Sequence, residues 1–232
     1  MASAGWVTSH HWGVIYLLPN SSNPWIKYGL MFLMLDFLDY VYHRAMHRIP
    51  TLWRFHLVHH TDRTLDVSTT LREHPGETVL RNCFLLAWVF LCGATFGVLI
   101  LRQTGQTLFN ILSHTSFRLP PLPARVLGLV FITPNLHHVH HHYKLPYTDR
   151  NYGDIFSIWD RLFGTFRELS VENTRFGLDT HMNEAISNSF SGILLMPWRT
   201  KKKRASYTLQ RPIQTVNEPP VFSSPLPIFS AP

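Results

Sequence analysis

His43-Arg-Ala-Met-His47-Arg-Ile-Pro50-Thr-Leu-Trp53-Arg-Phe-His56-Leu-Val-His59-His60 is the stretch whose reading decides how this chain folds. Residues three and four apart share one face of a helix. His43 and His47 therefore form one helical pair, and His56, His59 and His60 form a second cluster. Pro50 removes a backbone donor and clashes with the preceding turn. The spacing predicts a long helix over Ile26 to Met46, a stop at Pro50, and a second helix over Thr51 to Thr61. A third cluster, His137-x-x-His140-His141, lies further along. Neutral imidazole suits iron, zinc and copper, and eight such ligands exceed what one tetrahedral or octahedral metal uses. The pattern implies two metals. With 15 histidines in 232 residues, a surface or capping role explains any single one but not three clusters together.

Composition narrows the class. Charged residues make up 15% of the chain, against about 25% in soluble domains, which fits a protein partly embedded in lipid. The formal charge of +7 forms no interleaved basic and aromatic stripe, so nucleic acid is not the expected partner. Arg44, Arg48, Arg54, Arg63, Arg72 and Arg81 surround the first two clusters, and positive residues flanking apolar spans mark the cytoplasmic side of a membrane. Cys83 and Cys92 sit in an apolar run outside any C-x-x-C pair and read as small packing residues. Met1 to Asn23 lacks a basic region followed by a cleavage site, so no cleaved signal peptide is expected.

Residues 83–101 carry no charge over 19 positions, enough for one membrane span. A single span, however, leaves too little chain after Arg102 to bring His114 back to the ligand side. Gly93-Ala-Thr-Phe-Gly97 supplies a turn, and the better reading is a hairpin: one helix from about Glu77 to Cys92, another from Phe96 to Thr115. His74 and His114 then emerge on the same side as the clusters. Trp12 to Pro19 is too short to span, Ala124 to Ile132 is a short apolar lead into the third cluster, and Tyr152 to Phe166 reads as compact and amphipathic. The expected organisation is an interfacial segment over 1–24, a membrane catalytic domain over 25–185, and a basic, Pro- and Ser-rich disordered tail over 186–232. The fold class is all-α: an integral membrane helical bundle with a histidine-rich di-metal site on its cytoplasmic side.

The run from His43 to His60 closely resembles the fatty acid hydroxylase / sterol desaturase superfamily. So do Thr70-Leu-Arg-Glu-His74-Pro, Ser113-His114-Thr, Thr133-Pro-Asn-Leu-His137-His-Val-His140-His141, and the closing string from Asn151 to Thr165. The resemblance covers about residues 30 to 185. It implies a membrane-embedded, non-haem di-iron enzyme that uses O2 to oxidise an unactivated C–H bond of a lipid, giving an alcohol or an alkene. Two H-x-x-H-H frames overlap at 137–142, and the family's Thr-Pro motif selects His137, His140 and His141, leaving His138 and His142 as bystanders. Members commonly carry more hydrophobic sequence before the first histidine pair than the single helix present here, which leaves reduced anchorage and an incomplete chain both open. No haem-binding cytochrome b5 segment is visible, so the electron donor (a cytochrome b5, ferredoxin or reductase) is a separate protein.

The metal ligands expected on this basis are His43, His47, His56, His59, His60, His137, His140 and His141, with His74 and His114 as further candidates. Metal-bound imidazoles need their other ring nitrogen anchored, usually on a carboxylate or carbonyl. Asp36, Asp39, Asp62, Glu77 and Asp160 lie near the clusters; Asp36 and Asp160 match family motif positions and are favoured. His10, His11 and His181 match no motif. Two other readings compete: a membrane zinc hydrolase, disfavoured because no cluster contains the carboxylate base of an H-E-x-x-H motif, and a non-catalytic metal-binding relative. The substrate lipid is not readable, because the apolar segments carry no headgroup code.

Overall fold

The computed structural model describes residues 2–18 and 23–199. Ten α-helices account for most of them: α1 (Ala2–Ser9), α2 (Pro24–Arg48), α3 (Pro50–His60), α4 (Pro75–Cys92), α5 (Phe96–Ser113), α6 (Pro121–Leu127), α7 (Pro134–His140), α8 (Ile158–Leu162), α9 (Glu184–Ser187) and α10 (Phe190–Arg199). Among the described residues there is no strand, only two isolated bridges. The 25 residues of α2 form the long axis. Asn23 caps it through its side chain, and Pro24 takes the first position, where a missing N–H costs nothing. Ile49 closes α2 in extended conformation and at the same time caps α3, which opens on Pro50. The break at Pro50 thus folds α3 back onto α2.

The hairpin forms as the Gly93–Gly97 turn predicts. Helices α4 and α5 are 18 residues each, about 27 Å at 1.5 Å per residue. Gly93 closes α4 in the left-handed region at φ 77°, where a residue with a Cβ pays about 1–2 kcal/mol. A Cβ on Gly93 would also run into the backbone carbonyl of Trp12. G93A is therefore expected to lower the apparent melting temperature in detergent by about 4 °C or more, read by differential scanning fluorimetry.

Two apolar clusters hold the helices together. One, at the hairpin tip, joins Val7 and Ile15 to Met31 and Leu35 of α2 and to Val89, Cys92 and Val98 of the arms. The other packs Trp53, Leu57 and Val58 of α3 against Leu178 and Met196. Much apolar surface stays uncovered: Trp25, Ile26, Leu30 and Leu33 on α2, and Val79, Leu86, Phe96, Ile100, Leu101 and Leu108 on the hairpin. Exposed patches of this extent mark an interaction or membrane surface. Among the described residues, no helix is long and apolar enough to cross a membrane; the expected spanning bundle has that helical architecture without such a span.

Near the C-terminus, the expected tail boundary at 186 falls within α9, and α10 packs onto α3 through Met196. Its helical spacing of Phe190, Ile193, Leu194 and Met196 gives it an apolar face that the mixed composition of the tail masks. The basic run and the Pro-rich stretch from residue 200 onward lie outside the described residues.

Candidate metal centre

Four elements deliver histidines to one place. His43 and His47 stand on the last two turns of α2, His56, His59 and His60 on α3, His137 and His140 on α7 with His141 at its C-cap, and His114 caps α5. Thr133 starts α7 by accepting from the Leu136 N–H, with Pro134 at the first position. The Thr-Pro pair thereby fixes where α7 begins.

The imidazoles sort into two adjoining groups. His43, His47, His56, His60 and His140 form the first; His59, His114, His137 and His141 form the second, and within each group the donor atoms lie within 4.8 Å of one another. The H-x-x-H-H pattern divides its histidines: His56 and His60, at i and i+4, go to the first group and His59 to the second. In the third cluster His137 and His141 go to the second group and His140 to the first. Stacking of His60 on His141, 4.6 Å between ring centroids, joins the groups side by side.

In the first group the outer ring nitrogens of four of the five histidines are anchored, while His60 Nδ1 is buried without a hydrogen-bond partner. His43 Nδ1 donates to the Tyr152 carbonyl (2.9 Å), His47 Nδ1 to Asp149 (3.2 Å), His56 Nδ1 to Glu77 (2.7 Å) and His140 Nδ1 to the Arg150 carbonyl (2.7 Å). A proton fixed on Nδ1 leaves a lone pair on Nε2. The Nε2 atoms of His43, His56 and His60 are buried with no hydrogen-bond partner, and buried nitrogens without partners cost stability unless a bound group satisfies them.

The second group makes the same point through crowding. His114 Nε2 lies 3.1 Å from His59 Nε2, 3.1 Å from His141 Nε2 and 3.0 Å from His137 Nε2, and the last two are 3.1 Å apart. His114 Nδ1 donates to the Asn110 carbonyl and His59 Nδ1 to the Arg72 carbonyl, so these Nε2 atoms carry lone pairs, not protons. One ring nitrogen cannot hydrogen-bond to three others of its kind. The separations instead suit nitrogens each about 2.1 Å from a shared centre. Burial holds the pKa of His59, His60, His137 and His141 well below the ordinary histidine value, which keeps them in the neutral, ligating form.

Of the residues the spacing singles out, all eight clustered histidines and His114 enter these groups. His74 does not: its Nδ1 accepts from Gly76 N–H as the N-cap of α4, and its Nε2 meets the Leu194 carbonyl at 3.1 Å. His138 Nε2 faces the Thr115 carbonyl, and His142 Nδ1 accepts from Arg175 N–H. His10, stacked on Trp6, and His11 and His181 lie outside both groups.

The carboxylates redistribute. Asp36 accepts from Trp159 Nε1 (2.6 Å) and Ile155 N–H (3.2 Å) and touches no histidine. Asp160 accepts from the Tyr152 and Gly153 N–H groups, both at 2.8 Å, and from Thr165 Oγ1 at 2.6 Å. It therefore bears on the centre only through the Tyr152 backbone. Asp62 binds Thr69, and Asp39 pairs with Arg102. Among the described residues, Glu77 and Asp149 reach imidazole. The second escaped the sequence reading because it is 102 residues from His47 and belongs to no cluster. Segment 149–152 alone anchors three of these histidines, with Asn151 at φ 52° tied by its side chain to the Leu136 and Arg167 carbonyls.

With the geometry in place, the comparisons identify the lineage. The family model for fatty acid hydroxylases matches residues 28–165. This chain belongs to the fatty acid hydroxylase family. It is 32% identical over 179 residues to an alkylglycerol monooxygenase of Caenorhabditis elegans, covering 75% of this chain and 33% of that protein. It is 30% identical to the ornithine lipid hydroxylase OlsE of Rhizobium tropici, covering 73% and 49% respectively. A human alkylglycerol monooxygenase is 31% identical, covering 73% and 36%. The chain thus spans a third to a half of the length of these relatives. No solved structure matches it. The relatives are lipid hydroxylases and monooxygenases by name, and the matched span of this hydroxylase-family chain contains every residue of both histidine groups.

Glu77 is the outer-shell group most open to a direct check. E77Q keeps the shape but gives up the charge facing His56, and loss of such partners lowers metal affinity about 10–100-fold. Competition with a chelator should show that weakening in E77Q. D36N, removed from all the histidines, should titrate like the parent.

Proposed function

We propose that this chain is the catalytic core of an O2-dependent, non-haem di-iron enzyme that hydroxylates an unactivated C–H bond of a lipid. The observation that carries the reading is the pair of imidazole groups, five and four side chains, whose donor atoms converge, with six of the nine rings anchored through Nδ1. Nine nitrogen donors exceed the three or four of a zinc hydrolase site and suit two six-coordinate metals with positions left for exchangeable ligands. When bound, the irons would supply O2 activation and hydrogen abstraction. Hydroxylation is favoured over desaturation because the named relatives are hydroxylases and monooxygenases.

The protein's own part is positioning and exclusion. His43, His47, His56, His60 and His140 would hold one iron and His59, His114, His137 and His141 the other, with Glu77, Asp149 and the carbonyls of Arg72, Arg150 and Tyr152 fixing the rings. Burial of His60, His140 and His141, each 0% exposed, keeps bulk water from the inner face. The uncovered apolar faces of α2 and the hairpin would sit in lipid, with the histidines at the cytoplasmic side, and a separate protein would deliver electrons. The test is comparative lipidomics of cells with and without the chain, under oxygen and under nitrogen. A hydroxylated lipid that requires both chain and oxygen supports the proposal; a hydrolysed lipid formed equally under nitrogen contradicts it.

A further inference from the structure

The two helical turns that carry His43 and His47 also carry Arg44 and Arg48, each one residue further along α2 and both exposed. Four residues apart, the two guanidinium groups share a face, turned about 100° from that of the imidazoles. Segment 149–152 brings two more arginines to the same side. Arg150 anchors His140 through its carbonyl (2.7 Å), while its Nη1 donates to the Gly164 carbonyl (3.2 Å). The Arg167 N–H donates to Asn151 Oδ1 (2.9 Å), and its side chain is exposed. Arg167 and Arg48 add their repulsion to the burial that pulls the Arg150 guanidinium below its ordinary pKa. Arg44 stands one turn beyond Tyr40, on which Phe163 stacks at 5.5 Å. Phe163 stays 47% exposed and Leu162 71%, so apolar side chains border the charge.

Two features of this patch call for a partner. First, its charge is unanswered. Arg63, Arg81 and Arg102 each pair with a carboxylate, whereas no ion pair among the described residues engages Arg44, Arg48, Arg150 or Arg167. Arg150 Nε is buried without a hydrogen-bond partner. In these segments Asp149 is engaged by His47, Asp154 by Gln106 and Asp160 by backbone N–H groups, which leaves Glu168 beside Arg167. Like charges at i and i+4 destabilise a helix, and an acidic partner surface would relieve them.

Second, the patch is placed for delivery to the centre. It lies one residue from His43 and His47, and one hydrogen bond from His140. The cavity of about 300 Å³ beside the histidines is lined by His56 and His114 but by neither His47 nor His140, so a protein on the patch leaves that cavity accessible. The patch also stands at the far end of α2 from its exposed apolar residues: Trp25 and Arg48 are about 35 Å apart along the axis, more than the roughly 30 Å of a hydrocarbon core. Arginines bordered by exposed aromatic and aliphatic side chains are typical of protein interfaces. Converting a C–H bond and O2 to an alcohol and water takes two electrons and two protons. A one-electron carrier gives up one electron at each of two visits, the protons coming from water, and electron transfer falls steeply with distance.

We infer that Arg44, Arg48, Arg150 and Arg167 form the docking surface for an acidic one-electron carrier protein, and that electrons enter the first histidine group through segment 149–152 and its hydrogen bond to His140. This rests on the oxygenase reading of the same centre. It adds the face, the charge of the partner and the point of entry.

The test is surface plasmon resonance on the full chain in neutral phosphatidylcholine nanodiscs. The probes are the soluble haem domain of cytochrome b5 and a plant-type ferredoxin, both acidic, with basic cytochrome c as the redox-active counter-probe. At least one acidic carrier should bind, weakening at least about tenfold between about 50 and about 300 mM salt, and cytochrome c should not. R48E and R167E, made separately so that one misfolded variant does not decide the matter, should each weaken carrier binding at least about tenfold at unchanged iron content, while R175E, the same charge reversal beside His142, stays within about twofold. Anaerobic oxidation of the reduced carrier by the iron-loaded chain should slow in R48E and R167E, with reduction by dithionite unchanged. Binding of neither carrier, an equal loss in R175E, or carrier binding unchanged in R48E and R167E would overturn the inference. Carrier binding unchanged beside a lost affinity for phosphatidylserine vesicles would assign the patch to the bilayer instead. Oxidised lipid is measured on the same preparations. Carrier binding confined to the patch without product would support the surface and contradict the oxygenase reading, whereas product with carrier binding indifferent to the patch would do the reverse.

Discussion

H140A is expected to leave about one iron per chain in place of two and to lower lipid turnover by at least about a hundredfold, the upper end of what losing an outer-shell partner does. His140 sits among His43, His47 and His60 with ring centroids 4.6, 4.8 and 4.6 Å away, and no neighbouring side chain can take over its inward nitrogen. The second group keeps all four of its members in this variant, so half the metal should remain. H56A is expected to behave alike, since His56 contributes to the same group. H181A, outside both groups, should stay within about twofold of the parent. Turnover and elemental analysis of the same purified samples check this; full turnover in H140A or H56A would contradict the ligand assignment.

D160A is expected to damage the centre from a distance. Asp160 is fully buried and accepts from two backbone N–H groups and the Thr165 hydroxyl, and Tyr40 OH reaches the same Thr165 Oγ1 at 3.0 Å. Its removal strands two buried N–H donors at about 1–3 kcal/mol each. For a chain of this size that corresponds to a fall in apparent melting temperature of roughly 10 °C. The same N–H groups fix the Tyr152 carbonyl that anchors His43, so iron in the first group should weaken as well. Scanning fluorimetry with and without iron separates the two effects. A stability loss with metal affinity unchanged would show that segment 149–152 holds its shape without Asp160.

Much of this was legible in the chain because the informative features are local. Pro50 ends one helix and starts the next, Gly93 closes the hairpin, and i, i+3 and i+4 spacing puts imidazoles on shared faces; each depends on a few adjacent residues. The need for His114 to return to the ligand side made the hairpin legible, since it is a constraint of chain length. What stayed hidden depends on tertiary packing. Which group each histidine of an H-x-x-H-H motif joins is set by how α3 and α7 pack, not by spacing. Asp36 and Asp160 look like imidazole partners beside the clusters, yet backbone N–H groups of the 152–155 loop claim them first. Asp149 has no motif around it. His74 has the right neighbours in sequence but is consumed as a helix cap.

The central claim, two irons held by two imidazole groups, is most directly tested by counting metal in the full chain purified anaerobically from iron-supplemented cells without chelator. The account predicts about two iron atoms per chain, with H140A and H137A each retaining about one. A parent protein that holds a single metal, or one in which H140A and H137A both keep the full complement, would contradict it.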